Sequence, residues 1–111
     1  MTYFCPVCGY PDLDEPPYLE NEIPSYNICP CCGVEFGFAD GGRQGEALQY
    51  WILKTRNTWI RQGMCWRSSS ESPPANWDPS SQLENLRQDK GPVAGPGRYE
   101  YHRLENEGQE P

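Results

Sequence analysis

A small α+β domain, a cysteine-knuckled ribbon followed by one amphipathic helix and a short second helix, is the fold class this sequence predicts. Three observations predict it. The motif Cys-Pro-x-Cys-Gly occurs twice, as CPVCG at residues 5–9 and CPCCG at residues 29–33. A helical apolar period begins only after Gly41-Gly42. Hydrophobic residues make up 36% of 111, against 12 prolines and 11 glycines, so the core needs a staple to offset the entropy of ordering the chain. The length allows one domain, placed at residues 1–87, with residues 88–111 as an extended or mobile tail.

Residues 3–40 hold both cysteine pairs and several strand-like fragments. SYNI precedes the second pair and VEFGF follows it; in the latter Val34, Phe36 and Phe38 alternate with Glu35 and Gly37, the period of a half-buried strand. Between the pairs PDLDEPPYLENEIP reads as an acidic, proline-rich, solvated loop. Next, Leu48, Trp51, Ile52, Thr55 and Trp59 recur at offsets of three and four. This predicts an amphipathic helix over 44–62, stopped by Gly63. Arg43, Lys54 and Arg61 fall near one line of that helix, away from the tryptophans. In DPSSQLENL, Asp78 caps a short helix with Pro79 in its first position and Leu83 and Leu86 facing inward.

The two cysteine motifs carry the chemistry. A four-thiolate zinc needs two pairs of sulfurs, each brought to one side of the ion by a tight turn. Proline after the first ligand fixes φ, and glycine after the second permits the positive φ that turns the chain away. Cys5, Cys8, Cys29 and Cys32 are therefore assigned as the ligands of one structural Zn2+, in a zinc ribbon. A site with four protein ligands leaves no open position for substrate, which argues against catalysis at the metal. Cys31 is placed outside the ligand set, because Cys29 and Cys32 reproduce the register of the first pair; it reads as a free thiol near the metal, with ligand exchange or redox sensing as the alternative. Cys65 is expected to be a small buried hydrophobe, and His102, the lone histidine, a surface residue of the tail. The chain shows no basic, apolar leader and no apolar run of membrane length, which points to the cytoplasm, where paired cysteines bind metal.

No phosphate loop, nucleophile triad or histidine-containing metal triad is present, so the chain reads as a non-enzyme. Trp51, Trp59, Trp66 and Trp77 fit a core at this spacing better than a stacking surface. The formal net charge is −7, with seven acids and no Lys or Arg in residues 1–40. That balance disfavours phosphate backbones and leaves Arg43, Lys54, Arg56 and Arg61 as the sole basis for nucleic-acid binding.

In CPVCGY, DEPPY, PSYNICPCCGVEFGF, WIRQGMCW and PPANWDPSSQLENL the chain resembles the bacterial cysteine-rich CPCC family over about residues 3–87. The resemblance implies a zinc-ribbon-like N-terminus followed by helix, with no established activity. Some small acidic proteins of this kind look like immunity partners of bacterial toxins, which suggests action through a protein partner of immunity or regulatory type. A weaker likeness to rubredoxin rests on Tyr3, CPVCGY and the second Cys-Pro-x-Cys-Gly. It implies rubredoxin-like knuckles, with iron and electron transfer as the alternative, although the spacing is shorter than usual there and the long helix has no counterpart.

Overall fold

The computed structural model describes residues 2–86. The tail expected at 88–111, with His102, lies outside the described residues. Three isolated antiparallel bridges, Tyr3 with Leu13, Tyr18 with Pro24 and Ile28 with Glu35, take the place of strands in the N-terminal half. Prolines at 6, 11, 16, 17, 24 and 30 remove ladder donors, and Asn21, Glu22 and Tyr26 adopt positive φ, so pairing never runs beyond one rung.

The half-buried strand expected for VEFGF is corrected to a single bridge at Glu35 followed by a tight turn. Phe38 and Ala39 N–H groups return to the Glu35 carbonyl, and Gly37 has φ of 104°. The buried Asp40 carboxylate drives this by accepting from Gly37 N–H at 2.9 Å, Gly42 N–H at 2.9 Å and the Tyr18 hydroxyl at 2.6 Å. Burial, with Asp40 beside it, pushes the Tyr18 phenol up, so it remains a donor. Phe36 stays in the core while Phe38 is 76% exposed. Asp40→Ala strips one acceptor from three donors and should destabilise the fold by about 3 kcal/mol in a denaturant titration; a change below about 0.5 kcal/mol would contradict that role.

Helix α1, Gly45–Arg61, matches the predicted period. Its first N–H is capped at 2.6 Å by Glu22 Oε1 from the distant acidic hairpin. At its other end Gly63 N–H reaches Ile60 O and Met64 N–H reaches Trp59 O. These are the two bonds of a Schellman stop, which needs the positive φ of 101° that Gly63 supplies. Cys65 is exposed, not buried, because this stop turns Met64 and Trp66 toward the core and Cys65 outward.

The chain then returns to the cysteines. Trp66 stands edge-on between Tyr10, at 5.7 Å, and Trp77, at 5.5 Å. Helix α2, Pro79–Gln82, begins at Asp78, which accepts from Ser80 N–H, and runs into the 3-10 turn Leu83–Leu86. Leu83 and Leu86 are buried as expected. One core joins Cys5, Val7, Cys8 and Cys29 from the knuckles to Phe36, Leu48, Ile52, Trp59, Leu83 and Leu86. The tryptophans expected in it divide: Trp59 is buried, and Trp51, Trp66 and Trp77 pack against its edge.

Candidate metal centre

The two motifs fold into the same turn. In the first, Gly9 N–H donates to Cys5 O at 2.8 Å and Cys5 N–H to Tyr10 O at 2.8 Å. In the second, Gly33 N–H donates to Cys29 O at 2.8 Å and Cys29 N–H to Val34 O at 2.9 Å. Gly9 and Gly33 hold φ of 85° and 81°, the left-handed conformation that the glycines were expected to supply. Gly9 is also constrained by space, since a Cβ there would stand 2.5 Å from the Gln82 carbonyl oxygen.

These turns bring Cys5, Cys8, Cys29 and Cys32 together, with every pair of sulfurs within 4.8 Å. Cys5 and Cys32 lie 3.8 Å apart and Cys8 and Cys29 3.7 Å. A tetrahedral ion with metal–sulfur bonds of about 2.3 Å requires sulfur edges of about 3.8 Å. The donor set therefore fits a four-thiolate metal in size as well as in chemistry. The sulfurs of all four predicted ligands converge, and those of Cys31 and Cys65 are outside the group.

Electrostatics point the same way. Burial pushes the Cys8, Cys32 and Cys29 thiols up. At Cys5 burial acts in that direction too, but the sulfurs of Cys29, Cys32 and Cys8 turned toward it outweigh it and hold its thiol well below the usual value. Cys31, outside the group, is also held below its usual value, chiefly by its hydrogen bond with Cys8. A divalent cation would supply the positive charge that lets buried thiols ionise.

The carbonyls on the back of the first knuckle are clamped by side chains from the helices. Arg56 of α1, completely buried, donates from Nε to Val7 O at 3.0 Å and from Nη2 to Pro6 O at 2.6 Å. Gln82 Nε2 donates to Cys8 O at 2.9 Å and Asn85 Nδ2 to Gly9 O at 2.9 Å. Four successive carbonyls are held in this way. On the second knuckle backbone does the same, Ser68 N–H bonding Pro30 O at 2.9 Å and Arg67 N–H bonding Cys31 O at 3.0 Å.

Arg56 is thereby withdrawn from the basic surface in which the sequence placed it. Arg43 is partly engaged as well, with its guanidinium on Asp40 O at 2.8 Å, and Lys54 lies over the Tyr50 ring at 5.7 Å. Arg56, Gln82 and Asn85 are the site residues that sequence reasoning missed. A signal existed: Arg56 continues the Leu48–Ile52 stripe toward Trp59, and Gln82 lies one helical turn before Leu86.

Among the described residues no helix is long and apolar enough to cross a membrane. Fold and site define a cysteine-rich protein that has, among the described residues, two α-helices, very little strand and a four-cysteine cluster able to hold a metal ion. A Bacillus subtilis (strain 168) protein described as "Uncharacterized protein YoaQ" is 44% identical to it over 39 residues. That match covers 34% of this chain and 33% of the relative, so the two correspond over about a third of their lengths. No protein-family model matches the chain, and no solved structure matches it.

Proposed function

We propose that Cys5, Cys8, Cys29 and Cys32 bind one structural Zn2+ that fastens a zinc ribbon of the CPCC type, and that the protein works by binding another protein. The convergence of the four sulfurs at tetrahedral spacing carries the metal reading. Zinc needs no redox partner and is saturated by four thiolates, so its contribution is to the fold. Loading an ion should release protons from Cys8, Cys29 and Cys32, whose thiols burial raises. Apparent affinity should accordingly fall as pH is lowered, because protons then compete for the sulfurs. A pH-independent zinc affinity between pH 6 and 8, measured by chelator competition, would contradict this charge balance.

The register within CPCC is testable by stoichiometry. Cys31→Ser should keep one ion per chain, while Cys29→Ser and Cys32→Ser lose it; loss from Cys31→Ser would place the ligands in the other register.

Protein binding is supported by an apolar patch on the acidic half. Leu19, Ile23, Tyr26 and Phe38 are 50%, 54%, 60% and 76% exposed. Leu19 N–H bonds Ile23 O at 2.7 Å, and Pro24 and Tyr26 cover Gly37 next to Phe38, so these side chains belong to one corner of the molecule. Glu20 and Glu22 sit on the same hairpin, and no Lys or Arg occurs in residues 1–40. A partner with an apolar surface rimmed by basic residues complements it, and a four-thiolate zinc of net charge −2 adds to the attraction. A partner purified on the wild-type chain should lose most of its affinity for Ile23→Ser/Phe38→Ser, whose zinc content should be unchanged. Unaltered binding would remove this patch from the proposal, and recovery of nucleic acid alone would favour the exposed bases of α1 instead.

A further inference from the structure

We propose that Cys31 is a reserve ligand, a fifth thiol stationed beside Cys8 that takes its place on the metal when the Cys8–metal bond opens. The proposal rests on the four-thiolate reading and adds a ligand-exchange route to it. The Cys31 sulfur is completely buried. A single amide nitrogen, Gln82 Nε2, bonds both the Cys8 carbonyl, at 2.9 Å, and the Cys31 sulfur, at 3.4 Å. The Cys31 and Cys8 side chains also lie within hydrogen-bonding reach of each other, which puts the fifth sulfur on the Cys8 side of the cluster. The amide cannot be reversed, because the Trp77 indole N–H, which can only donate, bonds Gln82 Oε1 at 2.9 Å. Trp77 in turn is braced by Trp66. A tryptophan–glutamine relay that ends on one buried sulfur holds that sulfur in a defined place, whereas a thiol serving only as apolar filling needs no donor.

The exchange balances within the cluster. A bond forms from Cys31 sulfur to the metal as the Cys8 bond breaks, and the Cys31 proton passes to the departing Cys8 sulfur beside it. Cys5 has no such neighbour: the thiols within hydrogen-bonding reach of it are Cys8, Cys29 and Cys32, all of them ligands already. The centre should therefore be asymmetric: the loss of Cys8 can be covered and the loss of Cys5 cannot.

The test compares zinc affinity of the full chain carrying Cys5→Ser, Cys8→Ser or Cys8→Ser/Cys31→Ser by chelator competition. Cys8→Ser should bind zinc about tenfold or more tightly than Cys5→Ser, and adding Cys31→Ser should abolish that advantage. Equal losses in Cys8→Ser and Cys5→Ser would overturn the proposal. Since removing a ligand can unfold the chain, the single variant Cys31→Ser, which keeps all four ligands, supplies a second readout. Wild type should hand zinc to a thiol-free chelator several-fold faster than Cys31→Ser, and equal rates would overturn the exchange route. Tight zinc binding by Cys5→Ser itself would instead bring down the four-thiolate reading.

Discussion

Stripping the metal under reducing conditions should unfold the whole described domain in one cooperative step. The sequence suggests a milder result, in which the ribbon loosens before the helix, because the cysteines occupy residues 3–40 and the helical period starts later. The packing argues otherwise. Cys5, Cys8 and Cys29 share one core with Leu48, Ile52 and Trp59 of α1 and with Leu83 and Leu86. Helix α1 is further tied to the acidic hairpin through Gly45 and Glu22, and to the first knuckle through Arg56. A structural zinc site contributes an apparent free energy of about 10–16 kcal/mol, against a net stability of about 5–15 kcal/mol for a typical domain. Its loss therefore removes a contribution as large as the margin itself. Helical and aromatic circular dichroism should disappear at the same chelator concentration; persistence of the α1 signal after the aromatic signal has gone would show two separable units.

Replacing Arg56 should have the next largest effect. Arg56→Ala leaves the Pro6 and Val7 carbonyls without their buried donors, at about 1–3 kcal/mol each, and opens a cavity under the first knuckle. It also removes a buried positive charge from behind a cluster that carries net negative charge when loaded. Zinc affinity should fall by about 10–100-fold. Arg56→Lys should recover only part of this, because one ammonium nitrogen cannot reproduce the fork that reaches two carbonyls from Nε and Nη2. An Arg56→Ala chain that melted and bound zinc as wild type does would show that the clamp is incidental.

The parts of the centre that were legible in the sequence are those whose chemistry is local. Proline after the first cysteine and glycine after the second specify the turn within five residues, and both knuckles close with matching hydrogen bonds. The α1 period and the Asp78-Pro79 start of α2 are local in the same sense. What stayed hidden depends on residues far apart in the chain. VEFGF alternates as a strand should, yet Asp40 gathers three donors, one of them from Tyr18, and bends the segment into a turn. Arg56 reads as one more surface base until its distance in sequence from Pro6 and Val7 is closed by folding. Cys65 was misplaced because the direction of the chain after the Gly63 stop is set by Trp66 docking on Tyr10.

The central claim, that four of the six cysteines hold one zinc, is tested most directly by weighing the intact chain under native conditions and again after acid denaturation. The native mass should exceed the denatured mass by one zinc ion less the protons displaced from the sulfurs, and the solution should be colourless. A native chain with no metal, or a red one carrying iron, would contradict it.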